Sequence, residues 1–124
     1  MDIVERARLF DFYSGLLSDK QREYYDLYYN EDFSLAEIAE KFGFSRQGIW
    51  DALGRAENTL SEAERSLGFI SFMEGLANEL AGIGRELEEM NLEDKEASEE
   101  IISKSARRLK SIASEELKWN TKEI

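Results

Sequence analysis

The stretch from Leu35 to Gly54 constrains this chain more than any other, because nearly every position carries the residue type that a helix-turn-helix demands there. Ser34-Leu-Ala-Glu37 has the form of a capping box: the serine hydroxyl accepts from the backbone N–H three residues on, and Glu37 reaches back to the serine N–H. Leu35, Ile38, Ala39 and Phe42 then share one face of the helix that follows. Ala39 is small where a second helix must approach. Gly43 stands at the turn, where a left-handed backbone is needed and glycine adopts it without strain. Phe44 is placed to plug the corner, and Ser45 to cap a second helix whose inward face reads Ile49, Leu53, Ala56 and Leu60.

Composition narrows the class. The 124 residues suffice for one compact domain with an appendage, and the absence of proline leaves helical hydrogen-bond ladders unbroken. With no cysteine and no histidine, disulfides and thiol or imidazole catalysis are excluded, and no zinc or other metal site is expected. No phosphate loop or paired-carboxylate motif stands in a recognisable context, so no catalytic residue, no cofactor and no enzyme activity are expected. Glu86-Leu-Glu-Glu89 reads as a solvated face rather than a metal cluster. Met1-Asp-Ile-Val-Glu5 lacks the basic and apolar regions of a signal peptide, and no uncharged run is long enough to span a bilayer, which points to the cytoplasm.

Charge opposes the usual use of the motif. Sixteen Lys and Arg face 27 Asp and Glu, a net of −11. Within residues 34–60, Lys41, Arg46 and Arg55 stand against Glu37, Glu40, Asp51 and Glu57. DNA-binding modules gain affinity by releasing counterions from phosphate. Any DNA binding here is therefore expected to be weak and strongly salt-sensitive, and the charge favours a protein partner.

Upstream, residues 2–17 read as a first helix with Ile3, Val4, Ala7, Phe10, Tyr13, Leu16 and Leu17 inward. Ser18-Asp-Lys-Gln21 is a second capping box, opening a short helix that carries Tyr24, Tyr25, Leu27, Tyr28 and Tyr29. These tyrosines could form a platform for stacked bases, but helical spacing sends them to different sides. Packing against the first and fourth helices, with hydroxyls at the surface, is the expectation. Asn30 to Phe33 links this helix to the helix-turn-helix.

Beyond residue 66 a second region, 67–124, is expected to be an amphipathic helical hairpin after a helix-turn-helix domain over 1–66. Phe69, Met73, Leu76, Leu80, Ile83, Leu87 and Met90 recur at spacings 4-3-4-3-4-3, a heptad seam. Gly68, Gly75 and Gly82 run beside it; each costs a helix stability, and close approach of another helix would explain them. Asn91-Leu-Glu-Asp94 reads as a turn with an asparagine cap. A last helix places Ile101, Ile102, Ala106, Leu109, Ile112, Ala113 and Leu117 inward. The apolar strip exceeds what one hairpin buries, so a homodimer through this seam is expected. The alternative is a strip folded back on residues 2–17, with Phe69 and Phe72 against Phe10 or Tyr13.

Leu9-Phe-Asp-Phe-Tyr13, Phe33-Ser-Leu-Ala-Glu-Ile-Ala39, Ser45-Arg-Gln47 and Arg55-Ala-Glu57 together resemble the YlxM family of small bacterial proteins. Its helix-turn-helix is similar to region 4 of sigma factors. The resemblance covers residues 9–67 and implies an all-α fold. It also implies a regulatory role in the signal recognition particle pathway, since the family's gene typically lies beside those for the particle's GTPase and its receptor. The particle's protein, or its RNA complex, is the partner so implied. Gly48, Ala52 and Gly54 depart from the family's pattern, and Gly54 removes a basic side chain that would touch phosphate.

The residues expected to contact DNA or a partner are Ser45, Arg46, Gln47, Trp50, Asp51 and Arg55. Glutamine can read adenine, and arginine can read guanine or hold a phosphate. Trp50 has three possible roles: contact with a thymine methyl, anchor for a protein partner, or closure of the core against the first helix. A sequence-specific transcriptional regulator unrelated to protein targeting remains the alternative function.

Overall fold

The computed structural model describes residues 2–115, which contain helices and turns and no strand. The order is α1 (Ile3–Tyr13), a 3-10 turn (Ser14–Leu16), α2 (Asp19–Tyr29), α3 (Leu35–Phe42), α4 (Arg46–Leu67), α5 (Phe69–Glu88) and α6 (Lys95–Glu115). Among these residues no helix is long and apolar enough to cross a membrane. The chain divides into two compact units, parted between Ile70 and Ser71 rather than between residues 66 and 67.

The starts of α1 to α4 are each fixed by their own sequence. Asp2 caps α1 by accepting from the Glu5 N–H at 2.7 Å. Both bonds of the Ser18–Gln21 box form, at 3.1 and 3.0 Å, as do both of the Ser34–Glu37 box, at 3.0 and 3.1 Å. Gly43 ends α3 with φ of 73°, and Ser45 accepts from the Gly48 N–H at 3.0 Å to open α4. A left-handed residue between two capped helices makes the turn of the helix-turn-helix.

The core joins α1, α2, α3 and α4 around Leu9, Tyr13, Tyr25, Ile38, Ile49, Leu53, Ala56 and Leu60, with Ile70 added from the start of α5. The inward sets expected for α3 and α4 are the buried ones, with Leu35 and Phe42 partly so. Phe44 differs in part: it is 57% exposed and meets Tyr24 edge-on only at 6.4 Å, whereas Phe42 meets the same ring edge-on at 4.9 Å.

The first helix also differs. Ile3 and Val4 are 81% and 67% exposed, Ala7 and Leu16 lie at the surface, and Leu9 takes the core with Tyr13 and Leu17. Apolar residues occur on both sides of α1, so periodicity alone does not choose its phase. Two polar links to α4 choose it: Arg6 Nε donates to Glu57 Oε1 at 2.7 Å, and the Tyr13 hydroxyl donates to Glu64 Oε1 at 2.6 Å. The 3-10 turn then tightens the chain and directs Leu17 inward.

Tyr25 overturns the expectation of surface hydroxyls. Its ring is 1% exposed and stacks on Phe10 at 5.0 Å, and its hydroxyl is buried without a hydrogen-bond partner. Burial pushes its pKa well above the usual tyrosine range; the Glu57 charge adds to this and Arg6 opposes it. Burial likewise raises Tyr13 and Tyr29. A raised folded pKa means that the contribution is complete below the unfolded value of about 10 and is lost as pH rises above it. Tyr25→Phe is therefore expected to raise stability at pH 8 by about 1 kcal/mol, since an unpaired buried hydroxyl is removed. It should also reduce, without abolishing, the loss of stability above pH 10. Urea denaturation at pH 8 and pH 11 measures both.

In the second unit α5, from Ser71 on, and α6 run antiparallel. Arg108 Nη2 meets Glu79 Oε1 at 3.0 Å, Lys104 Nζ meets Glu86 Oε1 at 3.6 Å, and the Ser98 hydroxyl donates to the Asn91 carbonyl at 2.7 Å. Asn91 shapes the preceding turn by accepting from the Glu93 N–H. The cap of α6 is Asp94, which accepts from the Ala97 N–H at 3.1 Å.

The expected seam is only partly buried. Ile83 is enclosed and Phe69, Leu76 and Met90 are half-buried, but Met73, Leu80 and Leu87 are 37%, 44% and 37% exposed. Phe69 itself lies in the first unit, its ring edge-on to Phe12 at 5.6 Å and its backbone beside the Tyr13 hydroxyl. The glycine row has a different explanation. Gly68 is the left-handed cap of α4, and a Cβ on Gly75 would meet nothing within 4 Å. On α6 the buried positions are Ser98, Ser105 and Ile112, with Ile101 half-buried, while Ile102, Ala106, Leu109 and Ala113 are exposed. Leu117 lies outside the described residues.

Candidate functional site

Ser45 fixes where the recognition helix begins, and from there a helical period of 3.6 sets what α4 presents. Arg46, Gln47, Trp50, Asp51, Gly54, Arg55 and Asn58 are all exposed, forming one outward stripe opposite the buried Ile49, Leu53 and Ala56. Ser45 itself is occupied structurally, its oxygen accepting from Gly48. Gln47 and Asp51 are one turn apart and joined: Gln47 Nε2 donates to Asp51 Oδ1 at 2.8 Å. That bond leaves the Gln47 carbonyl oxygen facing outward as an acceptor, with one amide hydrogen still free to donate.

Arg46, Gln47 and Trp50 line one open groove of about 420 Å³ together with Tyr28 from α2 and Leu35 from α3. Trp50 is 50% exposed, and its ring stands edge-on to Tyr28 with centroids 6.4 Å apart. It thus does not close the core against α1; its indole forms a wall of the groove. Arg55 and Asp51 lie on the same stripe but do not line the groove. Tyr28 and Leu35 are the members that periodicity within α4 could not disclose, because they reach the groove from other helices. The one available signal was an aromatic at the end of α2, directly before the linker to the helix-turn-helix.

The electrostatics of the stripe are mild. Two arginines, Arg46 and Arg55, face one carboxylate, Asp51, whereas Glu57 is engaged with Arg6. Gly54 lies in the middle with open space around it, since a Cβ there would meet nothing within 4 Å. The arrangement offers an apolar, aromatic-walled depression with a guanidinium and an amide at its rim.

Residues 2–105 match the UPF0122 family of helix-turn-helix proteins described as YlxM / p13 like. The chain is 40% identical to a UPF0122 protein of Thermoanaerobacter sp. (strain X514) over 101 residues, 82% of this chain and 85% of that protein. It is 52% identical to a UPF0122 protein of Halalkalibacterium halodurans over 66 residues, 53% of this chain and 61% of that one. It is also 54% identical to a UPF0122 protein of Streptococcus gordonii over 59 residues, 48% of this chain and 54% of that one.

Proposed function

This chain belongs to the UPF0122 family of YlxM / p13-like helix-turn-helix proteins, and from that premise we propose that it is a bacterial regulatory protein that docks its recognition-helix groove on a protein partner. The observation that carries this reading is Trp50, half-exposed and walling a groove with Tyr28 and Leu35 in a molecule of net charge −11. Tryptophan in such a depression supplies the large apolar area and directional N–H typical of binding hot spots. A strongly acidic molecule is repelled by phosphate but suits a basic protein surface. The pathway proposed is the signal recognition particle in the cytoplasm, as the family's association with that machinery implies, with the particle's protein as the partner.

The second reading is a DNA-binding regulator, favoured by Arg46 and Gln47 at the exposed start of α4 and by the excess of arginine over aspartate on its stripe. Binding of the full chain to the particle's GTPase, and separately to mixed duplex DNA across a salt series, tests both. Trp50→Ala is expected to weaken protein binding about 30-fold, equivalent to about 2 kcal/mol. DNA binding is expected to vanish by physiological salt and to return in part with Gly54→Arg, which adds a phosphate contact at a position with room for it. Sequence-specific DNA binding that persists at physiological salt and is abolished by Arg46→Ala, with Trp50→Ala neutral, would overturn the protein-partner reading.

A further inference from the structure

Burial sorts the heptads of the second unit differently from the expected seam. On α5 beyond Ile70 the side chains turned from solvent are Phe72, Leu76, Glu79, Ile83 and Glu86, followed by Met90 in the turn; on α6 they are Ser98, Ile101, Ser105, Arg108 and Ile112. Both sets advance by alternating three and four residues, and the Glu79–Arg108 and Glu86–Lys104 pairs bridge them. The seam between the two helices therefore runs along these rows. The next row around each helix, four residues beyond the first seam position of each heptad, is apolar and exposed. It consists of Met73, Leu80 and Leu87 on α5, and Ile102 and Leu109 on α6.

Reversing one helix of a pair brings equivalent flanking rows to the same side. In an antiparallel hairpin these five side chains therefore form one face rather than two opposite edges. Beside them lie the exposed Ala77 on α5 and Ala106 and Ala113 on α6, with the half-buried Gly84 of α5. These nine residues carry no charge, and the charged members of the same rows, Lys95 and Glu99, stand together at the start of α6, beside the turn. Such a face offers nothing to a phosphate backbone or a charged peptide, and it is the surface on which two copies of a chain of net charge −11 can meet with least repulsion.

We propose that this face binds the same face of a second copy, giving a four-helix bundle with two-fold symmetry. One self-complementary patch suffices for a two-fold contact. Both copies carry exposed apolar residues at the same seven-residue pitch, so the large side chains of one fit against the small Ala and Gly positions of the other. A hairpin of 20- and 21-residue helices presents a face roughly 30 Å long and roughly 20 Å wide. Two such faces bury about 1,200 Å², the lower edge of what a stable, specific interface requires.

The test is the solution mass of the full chain across a micromolar concentration series at physiological salt. Wild type is expected to rise to twice the 14.3 kDa chain mass. Leu80→Lys combined with Leu109→Lys should raise the dissociation constant by more than about 30-fold. Both residues are exposed, so helicity and melting of the chain should be retained. Ser111→Lys, on the opposite side of the hairpin seam, should leave the dimer intact. A wild type that stays at the single-chain mass at high micromolar concentration overturns the proposal. So does a dimer that Ser111→Lys breaks while the double lysine variant preserves it.

Discussion

Leu53→Asp is expected to unfold the N-terminal unit. Leu53 is 2% exposed at the centre of α4, on the face that packs with Ile38, Ile49, Ala56 and Leu60. A carboxylate there loses its hydration, and the nearest structural use of a cation in this core, Arg6, is already committed to Glu57. An uncompensated buried charge costs several kcal/mol, a large part of the 5–15 kcal/mol that holds a typical domain. Leu53→Ala, which leaves only a cavity, should cost about 2–5 kcal/mol and still fold. Circular dichroism should therefore show the cooperative melt of wild type lowered in Leu53→Ala and absent for this unit in Leu53→Asp. A Leu53→Asp protein that melts within a few degrees of wild type would mean that the core is not assembled on this face of α4.

The helix-turn-helix was legible because its signals are local. A capping box, a left-handed glycine and a second cap each follow from the chemistry of three or four adjacent residues, and Ser34, Glu37, Gly43 and Ser45 all behave as that chemistry requires. The phases of α1 and α5 were not legible, because each carries apolar residues around more than half its circumference. In α1 the choice is made by Arg6 and Tyr13 bonding to α4, partners 51 residues away in sequence. In α5 it is made by α6, whose inward row includes Ser98 and Ser105. A reading that equates core with apolar passes over serines, yet small hydroxyl residues allow helices to approach closely. The cap of α6 fell to Asp94 rather than Asn91 although both residues can cap, since only Asp94 immediately precedes the first helical turn. At the candidate site, Arg46, Gln47 and Trp50 could be placed on one stripe from helical period alone. The groove they share could not, because Tyr28 and Leu35 complete it through tertiary packing.

Glu64→Ala is expected to destabilise the same unit by about 2–4 kcal/mol through the loss of the hydrogen bonds its carboxylate accepts from Tyr13 and Ile70. One carboxylate oxygen of Glu64 accepts from the Tyr13 hydroxyl at 2.6 Å and from the Ile70 N–H at 2.9 Å. Because α5 starts directly after the Gly68 cap of α4, Ile70 is the second residue of a helix and its N–H has no partner within that helix. Glu64, reaching over from α4, takes the role a cap residue would have, and the acceptor's charge strengthens both bonds. Tyr13 is buried, so without Glu64 its hydroxyl would lose the acceptor it donates to in a setting from which water is largely excluded. Glu64→Gln keeps an acceptor oxygen and should cost about half as much, whereas Tyr13→Phe with Glu64→Ala should be less harmful than the sum of the two single changes. The drop expected for Glu64→Ala corresponds to roughly 10–20 °C in melting temperature for a unit of this size. If Glu64→Ala and Glu64→Gln melt together, within a degree of wild type, the carboxylate does not hold α1, α4 and the start of α5 together, and the junction at Gly68 must be fixed by the burial of Ile70 alone.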